Sequence, residues 1–354
     1  MKAMIMAAGV GSRLMPLTMQ IPKPMVPMAN KPLMENIVEV LQEHGFTDIM
    51  ANLHYHANVI EDYFADGSHW RVNMNYSLET ELLGTAGGIK NCENFLDETF
   101  VVVSGDALTD IDLSKLLAEH RGRGALATIA LKEVAEVEHF GVVVTDELGR
   151  INQFQEKPSP EIALSNLANT GIYIFEPEIF KYIPVRQFYD FGKQVFPHLV
   201  KIKAPFYGVK VADYWCDIGN LDTYRSAHSD ILQGLVKVST KGDIRGSVNG
   251  KVLSGEGVII GKDVRLEGDI VIGENCIIED GASLKDAVIW SNTLIGKGAV
   301  IEDSVIGEDC HIGELCHIRP SAVIAGGCVL DKNITINTGQ KVFNKTVNHN
   351  LNQG

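Results

Sequence analysis

The stretch "VIIGKDVRLEGDIVIGENCIIEDG", Val258 to Gly281, carries Ile or Leu at every sixth place: Ile260, Leu266, Ile272 and Ile278. The pattern runs on through Leu284, Ile289, Ile295, Ile301, Ile306, Ile312, Ile318, Ile324, Leu330 and Ile336. Fourteen consecutive matches leave chance out of account. Hexapeptide repeats build a parallel β-helix, each hexad giving one short strand to a face of a prism. The Ile or Leu points inward, and so does the small or apolar residue two places before it. Cys276, Cys310, Cys316 and Cys328 hold that second position and read as core filler. Two hexads are one residue short, ending before Ala287 and before Ser304, three hexads apart. With three hexads per coil, both deletions fall on one corner in successive coils. His311 and His317 precede inward Ile residues, so they face outward. The closing "KVFNKTVNHNLNQG", 341–354, is polar and Asn-rich and reads as a cap followed by a loose tail.

Upstream of about residue 235 the periodicity is different. Apolar runs alternate with helical stretches: "AMIM" then "MENIVEVLQEHG", "DIMANL" then "ANVIEDYFADG", "FVVV" then "DLSKLLAEHRGRG". Ile37, Val38 and Leu41 share one helix face, and Gly45 ends that helix. Strands alternating with helices predict a mostly parallel sheet covered on both faces. Ligands of such sheets bind beyond the carboxyl ends of the strands. "MAAGVGSR" and "VVVSGDAL" sit at such ends.

The 354 residues are 45% hydrophobic and 21% charged, which suits a globular chain of two domains. A net charge of −14 with no basic tract speaks against nucleic acid as a partner. Six cysteines without a CxxC pair suggest reduced thiols in a cytoplasmic protein rather than a disulfide frame or a zinc site. The N-terminal apolar run is short and ends in a Gly-rich loop, so it reads as a first buried strand, not a signal peptide. No apolar stretch has the length of a membrane span.

Four segments of the first domain carry candidate chemistry. The opening loop, "MAAGVGSRLMPLTMQIPKP", has two close glycines, Arg13 and Lys23. It is neither a P-loop, lacking Gly-Lys-Ser/Thr, nor the dinucleotide fingerprint, because Leu14 takes the third glycine place. Its glycines bring backbone close to a ligand, and its cations suggest an anion. "ELLGTAGGIK" is a Gly-rich approach to a helix. "SGDALTDIDL" presents Asp106 after an apolar strand, and "YWCDIGN" presents Asp217 between apolar residues and Gly. Each alone reads as a loop or cap. Together they suit a nucleoside triphosphate with Mg²⁺, which takes one or two carboxylates and leaves room for phosphate oxygens.

These segments, with "FGVV", "EKP" and "NTGIYIF", occur in the order found in sugar-1-phosphate nucleotidyltransferases. With the hexapeptide tail, the chain resembles the two-domain form of that family, most of all the mannose-1-phosphate guanylyltransferases (GDP-mannose pyrophosphorylases). The resemblance implies an α/β catalytic domain over 1–235, Rossmann-like with a mixed, mostly parallel sheet and helices on both faces. A left-handed parallel β-helix over 240–340 and the polar tail 341–354 would follow. It implies that a sugar 1-phosphate attacks the α-phosphorus of an NTP in line, releasing pyrophosphate. Arg13 and Lys23 would bind the triphosphate, and Asp106 and Asp217 would hold Mg²⁺. Ala8, Gly9, Gly11 and Ser12, with Gly84, Thr85, Ala86 and Gly87, would contact the nucleotide. Lys157 would grip the sugar phosphate; Gly141, Glu156, Asn169 and Thr170 would meet sugar hydroxyls. Ser12 stands where Thr is common, and Ser104 where Asn is common. "LLGTAGG" in place of a Gln-Pro preceding Gly-Leu-Ala points to GTP and mannose 1-phosphate. Glucose 1-phosphate with a uridylyl, thymidylyl or adenylyl donor is the alternative. A non-catalytic NDP-sugar-sensing subunit and an acyltransferase β-helix are rivals; the four charged positions and the outward His311 and His317 count against them. The β-helix is expected to serve homo-oligomer assembly.

Overall fold

The computed structural model describes residues 1–343 and 346–348. The chain forms two compact units: residues 1–10 with 34–217, and residues 11–33 with 218 onward. This division differs from the linear one expected at residue 235. Residues 11–33 and the segment after Asp217 group with the β-helix, while the start of the opening loop, up to Val10, stays with the α/β sheet.

The first unit is built on a nine-stranded mixed sheet. The strands Lys2–Met6, Asp48–Leu53, Asn73–Leu78 and Phe100–Ser104 pair in parallel. Three of them carry the apolar runs read as strands, buried along most of their length. Leu167–Phe175 adds antiparallel to Phe100–Ser104 and extends the sheet toward Ala127–Glu133 and Gly141–Thr145. Helices follow where the periodicity places them: Leu33–Glu43 buries Ile37, Val38 and Leu41, and Gly45 takes the left-handed φ of +78° just after its end. Asp112 caps the Leu113–Gly122 helix by accepting from the Lys115 N–H at 2.8 Å.

The second unit is a three-sided parallel β-helix. Short strands stack in sheets of seven, six and five, all parallel apart from the first hairpin, Asp243–Ser247 with Gly250–Ser254. The register places Ile or Leu over one another along each inner column, for example Ile260, 43% exposed in the first coil, over buried Ile278 and Ile295. That column repeats every 18 residues and then every 17, as the two short hexads require. Both short hexads end at one corner, where Asp286 and Asp303 adopt φ of +47° and +41°. Cys276, Cys310, Cys316 and Cys328 lie in the apolar core, which excludes water from the prism. His311 and His317 are exposed, as expected. Within the expected tail, Lys341–Val342 and Thr346–Val347 add further strands; residues 344–345 and 349–354 lie outside the described ones.

The Leu221–Gln233 helix and the opening loop pack against this prism. Asn220 caps the helix through a reciprocal pair with Thr223. Arg225 from the same helix pairs with the Asp303 carboxylate at 3.0 Å, at the tightened corner. Buried Tyr224 accepts from Trp290 Nε1 at 3.0 Å and donates to the Pro27 carbonyl at 2.5 Å. Asn30 donates to the Ile272 carbonyl at 2.9 Å, and Lys31 to Ser239 at 2.6 Å.

Candidate active site

In the α/β unit a cavity of about 220 Å³ opens at the carboxyl ends of the central strands. Asp106 and Asp217 both line it. The Trp215–Asp217 strand pairs antiparallel with Ala107–Thr109, and Asp217 lies opposite Ala107. Opposed residues of such a ladder have Cα atoms about 4.5–5.5 Å apart. The two carboxylates, more than a hundred positions apart in sequence, therefore share one rim. Gly105 makes this possible. Its N–H donates to the Met6 carbonyl at 2.9 Å, and a Cβ there would sit 2.8 Å from that oxygen. Ser104 donates its hydroxyl to Asp106, so the serine supplies a bond to the carboxylate. Two hard carboxylates beside open space suit Mg²⁺, whose remaining ligands come from water and phosphate. Among the described residues no group of three or more His, Cys, Asp or Glu could hold a metal.

The opposite wall carries Gly141, Glu156, Asn169 and Thr170. Glu156 ends the Ile151–Glu156 strand across from Gly141. A Cβ at Gly192 would collide with the Glu156 carboxylate, so glycine is needed there for the carboxylate to lie where it does. Burial pushes the Glu156 carboxyl above its usual range, and the Asp190 carboxylate adds to the push; Lys157 and Lys193 oppose it. Asn169 donates to the Tyr173 hydroxyl at 3.1 Å and accepts from the Gly171 N–H at 3.0 Å. The Thr170 hydroxyl is committed to the fold, donating to the Ala130 carbonyl at 2.8 Å. The Thr170 carbonyl accepts from the Trp215 indole at 2.9 Å, and that indole packs edge-on against Phe140.

The Gly84–Lys90 helix stands beside this wall. Thr85 lines the cavity, donates to Asp190 at 3.0 Å and accepts from the Phe191 N–H at 2.9 Å. The N–H groups of Ala86 and Gly87 both donate to the Tyr189 carbonyl at 3.0 Å. The end of the first strand is fixed through a buried relay. The Ala7 N–H donates to Asn52, and Asn52 donates to the Glu79 carboxylate at 2.6 Å. The other Glu79 oxygen accepts from the Leu83 N–H at 3.1 Å. Gly88 lies against this relay, where a Cβ would meet both side chains. Ala8 is buried and Gly9 faces open space.

Two groups of expected residues stand apart from the cavity wall. Lys157 is exposed and does not line it. Its φ of +47° is a left-handed conformation that a residue before proline disfavours. Its N–H donates to the Phe140 carbonyl at 3.1 Å. Gly11, Ser12, Arg13 and Lys23 belong to the second unit. There Gly11 has φ +69°, and a Cβ on it would lie 2.6 Å from Lys23 Cβ, so glycine permits the loop to close on Lys23. Thr18 donates to the Gly11 carbonyl at 2.9 Å. Lys23 is 6% exposed, whereas Ser12 and Arg13 are exposed.

The sequence reading missed Asp190, Gly192, His139 and Tyr173, which also line the cavity. "YDFG", 189–192, shares the Asp–apolar–Gly run of "WCDIG", and that was the available signal.

A mixed sheet with two carboxylates on one cavity rim beyond its strands, in a chain that also carries a hexapeptide β-helix, fits the architecture of a nucleotidyl transferase. A family model described as nucleotidyl transferase matches residues 2–234, and one described as GMPPB C-terminal domain matches residues 248–354. The chain belongs to the sugar-1-phosphate nucleotidyltransferase family. It is 48% identical over 251 residues to a UTP–glucose-1-phosphate uridylyltransferase of Synechocystis sp., a match covering 67% of this chain and 65% of that protein's length. A mannose-1-phosphate guanylyltransferase of Mycobacterium tuberculosis is 32% identical over 282 residues, covering 75% of this chain and 78% of that one. The solved structure of HddC from Yersinia pseudotuberculosis superposes with a TM-score of 0.56 at 28% identity, covering 65% of this chain and 99% of that one. These relatives do not single out GTP and mannose 1-phosphate. Among the described residues no helix is long and apolar enough to cross a membrane.

Proposed function

We propose that the protein transfers a nucleotidyl group from an NTP to a hexose 1-phosphate, releasing pyrophosphate. The meeting of Asp106 and Asp217 on one rim of a sugar-sized polar cavity carries this reading. These carboxylates would hold Mg²⁺, which supplies charge neutralisation on the phosphate oxygens. Ser104 orients the Asp106 carboxylate through its hydroxyl. Glu156 and Asp190 accept hydrogen bonds from ring hydroxyls, and Asn169 adds a polar contact from the same wall. Gly141 and Gly192 leave the space that the ring needs. Thr170 acts through the fold, holding Trp215 beside the cavity. Lys157 provides a charge for the sugar phosphate, and its left-handed backbone fixes where its stem begins. Backbone at Ala8, Gly9, Gly84, Thr85, Ala86 and Gly87 meets base and ribose, with Gly11 and Ser12 of the opening loop. Arg13 and Lys23 offset negative charge on the triphosphate. No covalent enzyme intermediate is required.

For base and sugar, UTP with glucose 1-phosphate is favoured by the 48% identity to a protein named for that pair. GTP with mannose 1-phosphate is the second reading. It is favoured by the C-terminal domain match and by relatives named for mannose 1-phosphate at 32% and 33% identity. A pyrophosphate-release assay crossing five NTPs with mannose, glucose and N-acetylglucosamine 1-phosphates tests both. The account expects turnover with at least one pair and its abolition by EDTA. Absence of pyrophosphate release across the whole grid contradicts it. The cytoplasm, where NTPs are abundant, is the proposed site of action.

A further inference from the structure

Asp106 and Asp217 meet on a ribbon too short to be stable alone. The Ala107–Thr109 and Trp215–Asp217 strands form a sheet of their own, two strands of three residues each. An isolated two-stranded ribbon is marginal in water. What steadies it lies just before Trp215, where side chains of the α/β unit hold the backbone of residues 212–214. The Asp110 carboxylate accepts from the Tyr214 N–H at 2.7 Å, and the Asp110 N–H donates to the Tyr214 carbonyl at 3.3 Å. In an ordinary antiparallel ladder such a couple exchanges both bonds through its backbones. Here a side-chain carboxylate accepts one of the two, and a charged acceptor makes that bond roughly twice as strong as a neutral one. The Thr109 hydroxyl accepts from the Ile111 N–H at 3.2 Å and donates to the same Tyr214 carbonyl at 2.8 Å. From the Ala127–Glu133 strand, Lys132 donates to the Ala212 and Asp213 carbonyls at 2.9 and 2.5 Å. Asp110 is not among the residues lining the cavity, and its carboxylate is turned onto the Tyr214 amide.

We propose that Asp110 is a positioning residue for the reaction: its bond to the Tyr214 amide sets the register of the Trp215–Asp217 strand and so the place of the Asp217 carboxylate beside Asp106. The inference rests on the reading of those two carboxylates as the seat of Mg²⁺. Tyr214 and Asp217 are separated by extended chain, about 10 Å long at the usual strand rise. No turn lies between them to absorb a displacement. A shift at Tyr214 therefore passes along the strand to the carboxylate. Mg²⁺ demands near-ideal octahedral geometry, so a small displacement of one carboxylate against the other costs affinity.

Asp110→Ala and Asp110→Asn in the full-length protein test this. Asparagine keeps an oxygen acceptor of the same size for the Tyr214 N–H but loses the charge. Asp110→Ala should raise the Mg²⁺ concentration for half-maximal pyrophosphate release about tenfold or more. Excess Mg²⁺ should bring kcat back to within about threefold of wild type, whereas a damaged fold would lower kcat at every Mg²⁺ concentration. The KM for the hexose 1-phosphate should move by less than about threefold, because Glu156 and Asn169 stand on other strands. Asp110→Asn should stay within about threefold of wild type in each measure. Amide hydrogen exchange by mass spectrometry, without Mg²⁺ or substrates, gives a readout independent of turnover. In Asp110→Ala, exchange across residues 211–217 should quicken about tenfold, while the Phe100–Ser104 strand exchanges as in wild type. Thr109→Val removes the hydroxyl bond to the Tyr214 carbonyl at unchanged size, and should move both readouts in the same direction; it carries the test if Asp110→Ala does not fold. Unchanged exchange across 211–217, or an Asp110→Asn variant as impaired as Asp110→Ala, overturns the inference and leaves Asp106 and Asp217 as the metal pair. A wild type whose turnover is indifferent to EDTA breaks the functional reading itself, and the inference with it.

Discussion

The β-helix and the α/β sheet keep their polar groups in opposite ways. In the β-helix each strand pairs with strands 17 or 18 residues away, and Ile, Leu, Ala and Cys fill the inside. Most polar side chains stay at corners and on outer faces; the inward Thr293 and Ser304 donate to the Gly307 and Arg319 carbonyls at 3.0 and 2.8 Å. In the α/β unit the pairings that make the cavity join residues about a hundred positions apart, such as Asp217 with Ala107. Buried Asn52 is satisfied by partners from distant segments, the Ala7 N–H and the Glu79 carboxylate. A stack of local repeats is a stable platform but gathers no chemistry. A sheet with long-range pairings brings functional groups from several loops to one edge.

Substitutions should therefore divide between stability and rate. The largest effect is expected inside the prism: Ile301→Ala leaves a cavity in a closely packed column and should cost about 2–5 kcal/mol, read by chemical denaturation. Asp217→Asn should lower kcat for pyrophosphate release about a hundredfold or more, equivalent to about 2.7 kcal/mol, with no change in Tm. Tyr224→Phe should cost about 1–3 kcal/mol of stability, because the Trp290 indole and the Pro27 carbonyl lose their shared buried partner.

The smallest effect sharpens the contrast at a single carboxylate. Glu156 has its carboxyl pKa raised by burial and by Asp190, so ionisation is disfavoured in the fold. The stability it contributes is fullest below its unfolded pKa and is lost as pH rises through the raised value. Glu156→Gln removes that loss. The variant should melt slightly above wild type at pH 8, with the difference vanishing near pH 4, as followed by calorimetry. The same change should raise the sugar-phosphate KM by about tenfold, since a charge-assisted acceptor is gone.

The β-helix was legible residue by residue, because its information is local: a six-residue period fixes inside and outside, and two short hexads fix a corner. Three strands and three helices of the α/β unit followed from their periods for the same reason; the antiparallel strands from Ala127 to Phe175 did not. The site was legible only as separate segments. Nothing in "SGDAL" or "YWCDIGN" states that they become adjacent strands; the family resemblance supplied that pairing. Asp190 and Gly192 were overlooked because their meaning lies in a contact with Glu156, which no spacing reveals. The unit division was illegible for a related reason. Residues 11–33 follow a strand of the α/β sheet, yet Lys31, Pro27 and Asn30 among them find partners at Ser239, Tyr224 and Ile272.

The account's central claim is that Asp106 and Asp217 act as one unit. A double-mutant cycle of Asp106→Asn and Asp217→Asn, followed by pyrophosphate release at saturating Mg²⁺, tests it most directly. Groups serving one ion lose their function together, so the double variant should be at most a few-fold slower than either single variant. Losses that multiply, or a single variant that turns over like wild type, would contradict it.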